Sequence, residues 1–123
     1  MAISDMFRNN FETSSISSNP KLRTRYYGND LQTTQLRVTN VLKNAGFQMI
    51  HVDNYYHELL FEGKKKQVIV TLSEMGLYET GVLLKVNTHY FLPLGRGIQL
   101  IQAIYDAIDK VLTLKSKGYH DEQ

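Results

Sequence analysis

GIQLIQAIYDAIDKVLTL, residues Gly97 to Leu114, sets the architecture of the chain. Its apolar residues fall at Ile98, Ile101, Ile104/Tyr105, Ile108 and Val111/Leu112. Steps of three and four predict a helix with one buried stripe over this stretch. Such a stripe needs a broad apolar surface beneath it. The middle of the chain supplies one as strands. Phe47–Val52, His57–Glu62, Gln67–Ser73 and Val82 to about Tyr90 read as four strands, joined by turn chemistry at Asp53-Asn54, Glu62-Gly63-Lys64 and Glu74-Met75-Gly76. Links this short imply antiparallel neighbours, hence a meander.

Alternation within those strands places Ile50, Val52, Leu59, Phe61, Val68, Val70, Leu72, Val82, Leu84 and Val86 on one face. That face is the platform for the last helix. The opposite face carries Met49, His51, Leu60, Ile69, Thr71, Leu83, Lys85, Asn87 and His89, more apolar than a solvated face requires. A second copy of the chain is the expected cover. Met49, Leu60, Ile69 and Leu83 are the candidate dimer face, and the N-terminal segment is the simpler alternative.

Upstream, Lys21-Leu22-Arg23-Thr24-Arg25-Tyr26-Tyr27 alternates, which predicts a strand with Lys21, Arg23 and Arg25 on a solvated basic side. Asn29 or Asp30 can cap a following helix that runs to about Asn44, with Leu31, Val38, Leu42 and Ala45 buried and Gly46 as its left-handed stop. The predicted order is β-α-β-β-β-β-α: an α+β two-layer sandwich, an antiparallel sheet with helices on one face. Residues 1–19 read as a polar, flexible tail, in which Phe7 and Phe11 could alternatively form a short docked helix. Residues 20–114 form the domain, and 115–123 a fraying C-terminal tail.

This element order resembles that of TATA-binding-protein-like and helix-grip folds, a likeness of order that carries no activity. Asn19-Pro20-Lys21-Leu22-Arg23-Thr24-Arg25-Tyr26-Tyr27 is also similar to a segment of small uncharacterised cytosolic proteins of low-GC Gram-positive bacteria. That similarity covers the segment and, loosely, the strand–helix order after it. It implies a bacterial cytosolic setting and supplies no catalytic residues.

Composition narrows the function classes. The chain has 123 residues, no cysteine and a net charge of +2. Disulfides, thiolate metal sites and cysteine nucleophiles are excluded. The start, MAISDMFRNNFETSS, lacks the basic-then-apolar pattern of a signal peptide, and no run reaches the roughly eighteen apolar residues of a spanning helix. A cytoplasmic protein without a membrane partner is expected. No Gly-x-Ser-x-Gly, phosphate-loop or HExxH pattern is present, so no catalytic residue, metal or cofactor is assigned.

Three weaker patterns remain. His51, Asp53 and His57 flank one turn, but pairing Ile50 with Leu59 would turn His57 away from His51, against a metal or acid–base site. His89 shares the face of His51, and His120 falls in the tail. Gly95-Arg96-Gly97 at a helix start could hold an anion on free amides; Arg96, Gly97 and Tyr105 would then flank a small-ligand cavity beneath the last helix. Lys21, Arg23 and Arg25 beside Tyr26 and Tyr27 could contact single-stranded nucleic acid, or simply be a solvated edge, the favoured reading. Lys64–Lys66 read as a solvated turn, and Tyr55, Tyr56 and Tyr78 as half-buried residues near turns. The leading expectation is a non-enzymatic binding or interaction domain, homodimeric through the second sheet face.

Overall fold

The computed structural model describes residues 9–89 and 95–118. Within them the strands are β1 (Asn10–Glu12), β2 (Arg25–Tyr27), β3 (Gln48–Asp53), β4 (Glu58–Gly63), β5 (Lys66–Gly76), β6 (Glu79–Thr88) and β7 (Leu114–Lys117); the helices are α1 (Leu31–Asn44) and α2 (Arg96–Asp109). All strands join one antiparallel sheet in the order β3-β4-β5-β6-β2-β7, and β1 pairs with β6 beyond the end of β2. The architecture is the expected α+β two-layer arrangement, with strands added before and after the predicted order.

Each helix forms for a local reason. Asp30 caps α1, its carboxylate accepting from Thr33 N at 3.1 Å, and Gly46 follows the helix at φ 96°. Val38 and Leu42 are buried, whereas Ala45, at the C-terminal boundary, is exposed. In α2 the predicted stripe is the observed one: Ile98, Ile101, Ile104, Tyr105 and Ile108 are all buried. Each such aliphatic side chain contributes roughly 1.5–3 kcal/mol. Against them lie Leu59, Phe61, Val68, Val70, Leu72, Val82, Leu84 and Val86, the expected sheet face.

Four expectations are corrected. First, residues from Asn10 onward do not form a loose tail. Phe11 is 1% exposed, paired opposite Val86 and packed on Gly97, because the far half of β6 would otherwise lack a neighbour on the side away from β5. The proposed helix involving Phe7 falls partly outside the described residues, and His120 and Tyr90 lie outside them.

Second, the last helix stops at Asp109. Leu112 still reaches the core, but Leu114–Lys117 extends as a strand on β2. The chain exchanges helical hydrogen bonds for ladder bonds there, which covers the free edge of β2. Third, Pro20–Leu22 is a turn of 3-10 helix, and only Arg25–Tyr27 is strand. With β6 on one side and β7 on the other, β2 is interior, so Arg25 is buried rather than solvated.

Fourth, β3 bulges between Met49 and His51. Met49 pairs with Phe61 and Val52 with Leu59, so Met49 packs on the helix-side core while Ile50 is half exposed. One extra residue in an edge strand inverts the facing of those before it.

Candidate binding surface on the open sheet face

The face away from the helices is built by strand alternation. Leu60 pairs with Ile69, Ile69 with Lys85, Lys85 with Glu12, and Thr71 with Leu83. Leu60, Ile69 and Leu83 are half-buried. Both helices pack on the other side, against the core cluster. Three of the four candidate dimer residues therefore share this surface, and Met49 does not.

The link between β1 and β2 makes the surface concave. Thr13 and Leu84 exchange two hydrogen bonds, from Thr13 N to Leu84 O at 2.8 Å and from Leu84 N to Thr13 Oγ1 at 2.9 Å. The link then closes on itself through Ser14 N to Leu22 O (2.9 Å) and Thr24 N to Ser14 O (3.2 Å). The Ser15 and Tyr26 hydroxyls are hydrogen-bonded, which ties the link to β2. A groove of about 460 Å³ results, lined by Glu12, Ser14, Ser15, Ile16, Thr24 and Leu83. A second hollow of about 320 Å³ shares Glu12 and Leu83 and adds Glu58, Ile69, Thr71 and Lys85. Thr24 lies at the bottom, 1% exposed, and its hydroxyl has no hydrogen-bond partner in the protein. Half-buried aliphatic side chains interleaved with hydroxyls and charges of both signs are the chemistry of a binding surface. No motif reading could locate it, because its residues come from four strands and a loop.

The residues proposed for nucleic acid do not gather. Lys21 is exposed in the 3-10 turn, and Arg23 Nε donates to Ser17 O at 3.0 Å. Arg25 and Tyr27 project to the opposite, helix side. There Arg25 Nη1 meets Asp109 Oδ2 at 2.6 Å and Asp106 Oδ1 at 3.5 Å, with its guanidinium 4.8 Å from the centre of the Tyr105 ring. The Tyr27 hydroxyl donates to Asp109 Oδ1 at 2.7 Å. Burial, and then the hydrogen bond to the Asp109 carboxylate, raise the Tyr27 pKa well above the ordinary tyrosine value. The basic strand side is thus absorbed into the core. Because the helix ends at Asp109 and not at Leu114, Asp106 and Asp109 sit in its last turn, where the dipole disfavours anions and a buried cation is the natural compensation.

The proposed ligand residues under α2 are also packed. A Cβ on Gly97 would meet Phe11 Cε2 at 2.8 Å and Cδ2 closer still, so Gly97 admits the ring of Phe11. Tyr105 is fully buried and donates to Val82 O at 2.6 Å, so it stands at no cavity mouth. Burial raises its pKa as well. Arg96 opens α2 beside Lys66, Thr88 and Gln99 in a shallow hollow. Gly95, at φ 79°, precedes it and provides no side-chain cap.

His57 sits in the β3–β4 turn at φ 56°, where Asp53 Oδ1 accepts from Tyr55 N and Tyr56 N. Asp53 is thus occupied by its own turn. Among the described residues no three His, Asp or Glu side chains gather as a metal site. No helix among the described residues is long and apolar enough to cross a membrane. Compared with protein-family models, curated proteins and solved structures, the chain matches none.

Proposed function

We propose that this chain is a non-enzymatic binding domain of the bacterial cytoplasm that self-associates as a homodimer through the open face of its sheet. The observation that carries this reading is that Leu60, Ile69 and Leu83 are half-buried on a sheet face on which no helix among the described residues packs. An antiparallel sheet tolerates water on one face when that face is polar, and this one is apolar at its centre. Its rim holds Glu12, Glu58 and Lys85, so a two-fold related copy can set an ammonium against a carboxylate while the apolar centres meet. Sedimentation equilibrium tests the reading. The unaltered chain should sediment as a dimer, and Leu83→Lys or Ile69→Lys as a monomer with unchanged circular dichroism. A monomer at the highest attainable concentration would overturn it.

A further inference from the structure

The hairpin of β5 and β6 extends beyond the strand beside it. At this end β4 begins at Glu58, opposite Thr71, and the last hydrogen bond across runs from Leu72 N to His57 O at 2.9 Å. Yet β5 continues to Gly76. Ser73 stays opposite Gly81 and Glu74 opposite Thr80, and a bulge at Met75 then brings Gly76 opposite Glu79. On the other side of this segment no strand lies among the described residues. Since Leu72 N–H points toward β4, the alternation of a strand turns the N–H and C=O of Glu74 toward the same, unfilled position.

The surroundings of this position are apolar and exposed. Of the nine exposed large hydrophobic residues among those described, five lie at this end: Tyr55 (81% exposed), Tyr56 (65%), Met75 (52%), Leu77 (75%) and Tyr78 (68%). Single exposed hydrophobic residues need no explanation, but a gathering of five does. Tyr55 and Tyr56 stand edge to face, with centroids 4.7 Å apart, on a turn whose amides are held by Asp53. Tyrosine and methionine are side chains that protein interfaces favour.

Charge defines the partner. The segments 53–58 and 73–79 contain Asp53, Glu58, Glu74 and Glu79 and no lysine or arginine. Lys115 of β7 is paired with Glu79 at 3.2 Å. An overhanging strand edge is usually protected by lysine, proline or a bulge; this one carries no lysine or proline, and its bulge, at Met75, falls after Glu74. The same acids would be repelled by an anionic lipid surface.

We propose that this end of the sheet docks an extended, lysine- or arginine-bearing segment of another protein. The segment adds beside Ser73–Gly76 as a short strand in line with β4. Its apolar side chains lie on Tyr55, Tyr56 and Met75, and its cations, on the other face of the strand, meet Glu74. Main-chain hydrogen bonds supply part of the affinity, and the alternating side chains the selectivity. This contact is independent of self-association on the open face.

The test uses the full chain and a short peptide of alternating Lys and Val, with its Glu–Val counterpart as control. Fluorescence anisotropy should show binding of the Lys–Val peptide, weakening as salt is raised. Glu74→Lys and Met75→Ser should each weaken it by about tenfold, or about 1.4 kcal/mol. These residues are exposed, so the variants should keep the parent circular dichroism. Amide exchange should slow at Glu74 when the peptide is bound. Absence of Lys–Val binding, equal binding of Glu–Val, binding indifferent to the hairpin substitutions, or a preference for phosphatidylglycerol vesicles would each overturn the proposal. So would a self-association that the hairpin substitutions abolish while the peptide fails to bind, since the occupant would then be a second copy.

Discussion

Arg25 Nη1 lies 2.6 Å from Asp109 Oδ2, while the other oxygen of that carboxylate accepts the Tyr27 hydroxyl at 2.7 Å. One carboxylate thus closes two side chains of β2 onto the end of α2. Three elements distant in sequence meet there, because the Arg25 guanidinium also lies over the Tyr105 ring and Tyr105 donates to Val82 O of β6. The helix stripe supplies most of the adhesion between the layers. The polar cluster fixes which end of α2 faces β2, since only this arrangement leaves the buried Arg25 compensated.

Removing one member of this cluster should be costly. Asp109→Asn keeps an acceptor for Tyr27 but leaves the buried Arg25 only its longer contact to the exposed Asp106, at 3.5 Å. A loss of about 3–5 kcal/mol is expected for breaking a buried pair, toward the lower limit because the Asp109 side chain is 25% exposed. Adding Arg25→Met to Asp109→Asn should regain most of that loss, because the buried cation is gone and the amide oxygen at 109 still accepts from the Tyr27 hydroxyl. Urea denaturation checks both statements, as a lowered midpoint at unchanged slope for the single variant and a recovered midpoint for the double.

The same cluster should make stability fall at alkaline pH. Tyr27 and Tyr105 have folded pKa values raised above their unfolded value near 10. Between the unfolded and folded values the unfolded chain has lost these protons and the native chain retains them. The stabilisation is complete below about pH 10 and is lost as the pH rises above it, by about 1.4 kcal/mol per pH unit for each tyrosine. Urea midpoints taken across this range should drop steeply for the parent. Tyr27→Phe with Tyr105→Phe should start from a lower baseline, since Asp109 and Val82 O lose a donor, but should decline less steeply. Equal slopes in the two proteins would refute the assignment.

Periodicity identifies what hydrophobic contrast encodes: the α2 stripe, the facing of β4, β5 and β6, and the capped α1. It misses elements whose placement depends on backbone hydrogen bonding at sheet edges. Leu114–Lys117 continues an amphipathic pattern, yet it becomes a strand because β2 needs a neighbour. Phe11 looks like an isolated aromatic in a polar tail, and only Gly97, where no side chain intervenes, reveals its seat. Arg25 alternates correctly with Lys21 and Arg23, but alternation cannot say which face is inside when β2 is flanked on both sides. The bulge at Ile50 is invisible to a period of two, and it alone misplaces Met49. On the open face, Leu60, Ile69 and Leu83 follow from alternation, whereas the groove beside them depends on how residues 13–24 fold back.

Gly97 offers a case in which helix propensity and packing give opposite signs. Alanine is favoured over glycine by about 0.5–1 kcal/mol in a helix interior, an upper bound for Gly97, the second residue of α2. Here a Cβ would lie 2.8 Å from Phe11 Cε2, with Cδ2 nearer, and the buried ring has little room to retreat. Gly97→Ala should therefore destabilise the protein by about 1–3 kcal/mol through overpacking. In the background of Phe11→Ala, itself costly by about 3–5 kcal/mol, the substitution should become neutral or stabilising. A double-mutant cycle measured by urea denaturation reads this coupling directly. Additive effects would show that Phe11 does not occupy the space above Gly97.

Lys65 closes the β4–β5 turn at φ 58°, a left-handed conformation that costs an L-residue roughly 1–2 kcal/mol. Its neighbours hold it there: Gly63 pairs with Lys66, and Lys65 O accepts from His89 N at 2.9 Å. Glycine relieves the strain but adds freedom to the unfolded chain, worth about 0.4–1 kcal/mol in the opposite direction. The net expectation for Lys65→Gly is a gain of up to about 1 kcal/mol, and the turn should keep its register because that acceptor is a backbone oxygen. Lys65→Val should lose about 1 kcal/mol or more, since a branched Cβ is poorly tolerated at positive φ. Thermal midpoints should rank glycine above lysine above valine. If valine equals lysine, residue 65 does not hold the left-handed conformation in solution.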